Sequence, residues 1–170
     1  MSSLYEIERK FLVDKSRLKL PKKFKSIEQG YIMRAEGRSL RVRKVDGGYI
    51  LTLKIGKGAR RVEIERPLDK AEGAALMLRT LDPVIVKKRY AVKHKGHVWD
   101  VDVFKGENKG LVLAEVELDD EDEKFDRPDW VTREVTGDQL FQNSTLATHP
   151  ISMWREAFDE FCQPQEAMAD

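Results

Sequence analysis

Stretch after stretch of this chain alternates apolar and ionisable residues with a period of two, and this alternation restricts the fold more than any other feature. Tyr5–Phe11 sets Glu6, Glu8 and Lys10 against Ile7, Arg9 and Phe11. Alternate side chains of a β-strand share a face, so two carboxylates and an ammonium stand in one row. The pattern recurs with Arg41 and Arg43 opposite Leu40 and Val42, Thr52 and Lys54 opposite Leu51 and Leu53, and Glu63 and Glu65 opposite Val62 and Ile64. It returns in Lys87 and Arg89, in Asp100 and Asp102 opposite Trp99, Val101 and Val103, and in Glu115 and Glu117 opposite Ala114, Val116 and Leu118.

A sheet with one wet face explains any single strand of this kind. It explains the set less well. The polar positions are almost all ionisable, and most strands carry one sign, which is unfavourable without a counter-charge nearby. A sheet closed on itself with the charged face inward places acidic strands opposite basic ones and leaves no exposed edge. A dry lumen of that kind costs many kcal/mol in desolvation, so it must hold water, ions or a ligand.

Eight strand-like runs are expected: Leu4–Val13, Ile27–Arg34, Ser39–Val45, Tyr49–Ile55, Arg60–Pro67, Val84–Lys93, His97–Phe104 and Leu111–Leu118. Gly, Asp and Asn between them fit tight hairpins and a largely antiparallel meander. A helix over 69–81 is capped by Asp69 and stopped by Pro83, with Leu76, Leu78 and Leu81 as its apolar side. A short helix is expected over Asp14–Lys23, and an acidic loop or short helix over Asp119–Trp130. Thr136–Ala147 reads as helix with a turn at Gly137. Ile151, Trp154, Phe158 and Phe161 recur near period 3.6 in a C-terminal helix over 151–162. The expected class is therefore α+β: a closed eight-stranded antiparallel barrel, a tunnel with a charged lumen, in one domain over 1–170. The helices at 69–81 and 151–162 are expected to cover its outer apolar face, and for the aromatic helix at 151–162 capping of the barrel is preferred to a dimer contact.

The chain has 170 residues, with 31 Lys+Arg against 30 Asp+Glu. This balance argues against a nucleic-acid coat or a polybasic membrane binder. Cys162 is the single cysteine, so neither an intrachain disulfide nor a Cys-based zinc site is expected. The charged N-terminus and the lack of a long apolar run lead to the expectation of a cytoplasmic protein without membrane segments. His94, His97 and His149 do not form a ligand set, and the two that flank a turn, His94 and His97, are expected at the surface. Ser144 has no adjacent base, and the glycines spell no phosphate loop.

Arg and Lys in a lumen suit phosphate oxygens, Arg by bidentate hydrogen bonds and Lys as a point charge. Carboxylates suit a hard divalent cation such as Mg²⁺ or Mn²⁺. Together they read as a site for a polyphosphate chain with its metal. At Glu6, Glu8 and Lys10 the sequence resembles the ExExK signature of the CYTH superfamily, the triphosphate tunnel metalloenzymes. The resemblance extends from Leu4 to Ala147 and takes in the Arg41/Arg43, Thr52/Lys54, Glu63/Glu65, Lys87/Arg89, Asp100/Asp102 and Glu115/Glu117 pairs in order. Single doublets are weak signals; their ordered succession is a strong one. One departure is Leu140–Phe141, where many bacterial members carry Arg before an aromatic residue; that role is expected to be lost or taken by a neighbour such as Arg133.

The resemblance implies metal-dependent hydrolysis of a triphosphate, with inorganic tripolyphosphate favoured. It assigns Glu6, Glu8, Glu115 and Glu117 to the metal, with Asp102 as a contributor and Glu63 and Glu65 as ligands of a second metal or as orienting groups. Lys10, Arg41, Arg43, Lys54, Lys87, Arg89 and Arg133 would bind substrate, and Glu8, Lys10 and Glu117 carry catalysis. Inter-strand salt bridging competes as the explanation for Glu63, Glu65 and Asp100. A class IV adenylate cyclase, a thiamine-triphosphatase, a non-catalytic polyphosphate- or nucleotide-binding module and a wet-faced scaffold remain as alternatives. The expected partner is a small-molecule triphosphate, with no nucleic acid or membrane, and the chain is expected to be a monomer or homodimer.

Overall fold

A computed structural model describes residues 5–162. The strands are β1 (Tyr5–Val13), β2 (Lys25–Ala35), β3 (Arg38–Val45), β4 (Gly48–Ile55), β5 (Arg60–Leu68), β6 (Ile85–His94), β7 (His97–Phe104), β8 (Val112–Glu117) and β9 (Val131–Glu134). The α-helices are α1 (Lys70–Met77), α2 (Asn143–Thr148) and α3 (Arg155–Cys162). Neighbouring strands run β5-β4-β3-β2-β6-β7-β8-β1, and β1 returns to pair with β5. All pairings are antiparallel, so eight strands close into a barrel and β9 adds to β1 outside it.

Two hairpins turn through Asp46–Gly47 and Lys95–Gly96, whose φ angles are 49°, 92°, 40° and 89°. Paired left-handed residues match the twist of the strands they join, and glycine takes the second position at little steric cost. β1 is shared unequally. One edge pairs with β8 from Glu8–Glu117 to Leu12–Leu113. The other meets β5 only over Tyr5–Ile7, where Glu6 stands opposite Arg61, and then passes to β9 at Phe11 and Val13.

Period-two alternation decides the faces. Phe11, Trp99, Val101, Ala114 and Val116 are buried on the outside of β1, β7 and β8, joined by Trp130 with Phe125 and Leu18 against them. Phe11, Phe125 and Trp130 rings lie 5.6–5.8 Å from the Trp99 ring in tilted or edge-on geometry, which adds to the hydrophobic gain of their burial. The cover over this face is the irregular segment between β8 and β9, not the helices expected there. α1 does cover part of the outer face, with Gly73 seated against Tyr49 of β4, where a Cβ would collide with the ring.

α3 has a different destination. Phe158 packs with Ile151, Phe141 and Leu146 against Leu12, Ile85, Phe104 and Leu113. Those four stand two residues from Lys10, Lys87, Asp102 and Glu115 on their strands, so they belong to the inward rows. The amphipathic C-terminal segment (a 3-10 turn at Ile151–Trp154 followed by α3) thus stoppers the apolar end of the lumen.

Other expectations are corrected. Asp14–Lys23 is a turn, with the Asp14 carboxylate accepting from Ser16 N and Oγ. α1 has the expected Asp69 cap, closed as a capping box with Glu72, but ends at Met77. Leu78 and Leu81 are 84% and 58% exposed, because the chain leaves the helix to hand Leu81 N–H to Tyr31 O. The Thr136–Ala147 stretch is split into a 3-10 turn at Gln139–Phe141 and α2. Among the described residues no helix is long and apolar enough to cross a membrane.

Candidate active site in the barrel lumen

The inward rows line a cavity of about 850 Å³. Glu6, Glu8, Lys10, Arg41, Arg43, Lys54, Glu63, Glu65, Arg89, Glu115 and Glu117 all border it. Lys87 and Asp102 stand behind that wall, with side chains 2% and 1% exposed. Arg133 is not among the described residues bordering the cavity; its guanidinium lies 4.1 Å from the centre of the Phe161 ring. The substitute role expected for Arg133 is corrected accordingly: it sits on β9, outside the closed barrel.

One half of the wall is a saturated ion network. Lys10 Nζ meets Glu115 Oε1 at 2.9 Å, and Arg89 Nη2 donates to Glu115 Oε2 at 2.8 Å. Arg89 also grips Asp102 with Nε and Nη2, both at 2.7 Å, and reaches Asp100 at 3.0 Å. Lys87 Nζ donates to Asp102 at 2.5 Å. Burial opposes every charge here, yet Lys10, Arg89 and Lys87 hold Glu115 well below the usual carboxylate range. Arg89 and Lys87 likewise hold Asp102 low against its burial. For Lys87 burial prevails: with the repulsion of Arg89 it outweighs the pull of Asp102 and brings the ammonium down to about 8.

The other half is richer in carboxylates. Lys54 Nζ bridges Glu6 and Glu63 at 2.6 Å each, and Arg61 contacts Glu8 and, at 3.4 Å, Glu6. Arg43 pairs with Glu65, which also accepts from the Thr52 hydroxyl at 3.1 Å, and Arg41 stands 4.0 Å from Glu63. Glu117, opposite Glu8 in register, has no ion pair among the described residues. Burial raises its pKa, and the negative charges of Glu6, Asp100, Glu8 and Glu63 raise it further.

Four bordering cations, Arg34, Arg38, Lys57 and Arg61, are not in the site expected from the sequence. Arg61 lies two residues before Glu63, so extending the alternation by one step would have found it. Arg34 has no such signal. A bulge between Tyr31 and Met33 shifts the register, turning Met33 outward beside Leu40 and bringing Arg34 opposite the cavity residue Ser39. Arg34 is then fixed by Asp82 at 2.5 Å and by the Ser144 carbonyl at 2.8 Å. His97, expected at the surface, borders the cavity and pairs with Glu123 at 2.8 Å.

Among the described residues no three of His, Cys, Asp and Glu converge as a preformed metal cage. The donor set still fits a hard divalent cation. Glu6, Glu8 and Glu117 offer carboxylate oxygens on adjacent strands, and the raised Glu117 marks a place short of positive charge.

A closed antiparallel barrel whose lumen carries rows of both signs defines a class of polyanion-accommodating tunnel. The CYTH domain family model matches residues 4–147, and the chain belongs to that family. It is 40% identical over 153 residues to an inorganic triphosphatase of Acetivibrio thermocellus, covering 89% of this chain and 98% of that protein. It is 35% identical over 150 residues to an inorganic triphosphatase of Nitrosomonas europaea, covering 84% and 96%. A solved structure of an inorganic triphosphatase superposes with a TM-score of 0.61 at 34% identity, covering 86% of this chain and 95% of that one.

Proposed function

We propose that this chain hydrolyses a triphosphate, inorganic tripolyphosphate, in the barrel lumen, with Mg²⁺ or Mn²⁺. The observation that carries the reading is the cavity of about 850 Å³ bordered by basic rows and by carboxylates, of which Glu117 has no ion pair among the described residues. The two relatives named inorganic triphosphatase, matched over nearly their whole length, support it.

Lys10, Arg41, Arg43, Lys54 and Arg89 would take phosphate oxygens, whose charge disperses over the transferring group as the bond breaks. Glu6, Glu8 and Glu117 would hold the divalent cation, which supplies charge neutralisation on the phosphate oxygens and activation of the attacking water. Asp102 and Glu115 already spend both oxygens on Lys10, Lys87 and Arg89, so they orient these cations rather than bind metal. Glu63 and Glu65 hold Lys54 and Arg43 in the same way. Lys87, fully buried behind the wall, fixes Asp102 and through it Arg89. Fixed cations of this kind need no reorganisation at the moment of reaction.

The test is to incubate the purified protein with tripolyphosphate, ATP or thiamine triphosphate, each with Mg²⁺ or Mn²⁺, and to identify products. Orthophosphate and pyrophosphate should form fastest from tripolyphosphate, and Glu8→Ala should abolish their release while circular dichroism stays native. Cyclic AMP from ATP, or tight tripolyphosphate binding without turnover, would overturn the reading.

A further inference from the structure

Arg61 stands against two of the carboxylates that would hold the metal. Its Nη2 contacts Glu8 and lies 3.4 Å from Glu6, the two acidic residues of the β1 row. It faces Glu6 across the short β1–β5 seam, so backbone pairing delivers it there. The housing is incomplete: Arg61 Nε is buried without a hydrogen-bond partner. Among the described residues the guanidinium thus engages the protein through Nη2 alone, leaves Nε without a partner, and borders the open cavity.

We propose that Arg61 is an exchangeable counter-cation: it neutralises Glu6 and Glu8 in the metal-free barrel, yields them to the divalent cation, and turns to the phosphate chain. This makes Arg61 a positioning and specificity residue that couples metal entry to substrate binding, and it rests on the proposed triphosphatase reading. A side chain that only braced the seam would need neither the cavity border nor a free donor. Arg suits the exchange because it remains charged in both places and its planar fork matches carboxylate and phosphate alike.

The test compares wild type, Arg61→Gln and Arg61→Lys as full chains with native circular dichroism. Mn²⁺ is titrated without phosphate, by calorimetry and by loss of the free-ion electron paramagnetic resonance signal. Removing a unit charge at contact distance from the ligands should tighten Mn²⁺ binding about tenfold or more in Arg61→Gln. Arg61→Lys should fall between the two, because an ammonium lacks the fork. In the same Arg61→Gln protein the KM for tripolyphosphate should rise by about tenfold. Equal or weaker Mn²⁺ binding in Arg61→Gln overturns the proposal, whatever turnover shows. Wild type that releases no phosphate from tripolyphosphate overturns the functional reading instead and leaves the Mn²⁺ comparison standing.

Discussion

The two halves of the lumen use the same residue types to opposite electrostatic ends. Around Asp102 and Glu115, each carboxylate oxygen meets a cation and both acids are held low. Around Glu117, carboxylates from β1, β5, β7 and β8 crowd together and the acid is pushed up. The first half is finished without a ligand; the second is not. A buried network satisfied from within fixes geometry, whereas a like-charge cluster holds free energy that an incoming cation releases.

The same chemical change, carboxylate to amide, should therefore act with opposite sign in the two halves. The largest effect is expected at Asp102→Asn, which leaves Lys87 and Arg89 short of their shared counter-charge. It should destabilise the fold by about 3–5 kcal/mol in urea unfolding. A neutral result there would dissolve the distinction between the halves. Glu117→Gln should lower tripolyphosphate turnover by about 10²–10³-fold. The metal-free protein should melt at the same temperature or higher, since the amide removes a repelled charge; a clear drop in melting temperature would show that Glu117 belongs to the satisfied half. The smallest effect is a pH dependence. Lys87 lies near 8 in the fold against its ordinary 10.5, so the folded protein binds fewer protons in that window. Its contribution to stability is present above the ordinary value and is lost as pH falls through about 8. Unfolding free energies at pH 7.5 and 10 should thus differ by about 1–3 kcal/mol more in wild type than in Lys87→Met.

The eight barrel strands were legible because a period of two, once one face is apolar, leaves little freedom of register. The charged rows were legible for the same reason, and with them most of the charged residues bordering the cavity. Depth was not. Lys87 and Arg89 share a row, yet one is sealed and the other borders the cavity, a difference made where the apolar stopper of Phe141, Ile151 and Phe158 meets the rows. Nor was the bulge that turns Arg34 inward, since no residue type in Tyr31–Met33 demands it. The four residues of β9 were too short for periodicity to register, and Arg133 was placed by nearness in sequence to Leu140 when pairing with β1 carries it outside. The C-terminal helix was foreseen from its stripe, but a stripe states only that a face is buried, not against what.

The closure of β1 on both β5 and β8 has a consequence for how the protein is made. Its partners lie far along the chain: Glu6 must wait for Arg61, and Glu8 for Glu117. Contacts so distant in sequence are slow to form, because the loop entropy is spent before the pairing returns it. During synthesis β1 precedes both partners, and its β8-facing edge stays unpaired until β8 has emerged. Glu6 and Glu8 are thus translated well before their cross-strand neighbour Glu117, and β1 needs shielding from other chains until β8 arrives.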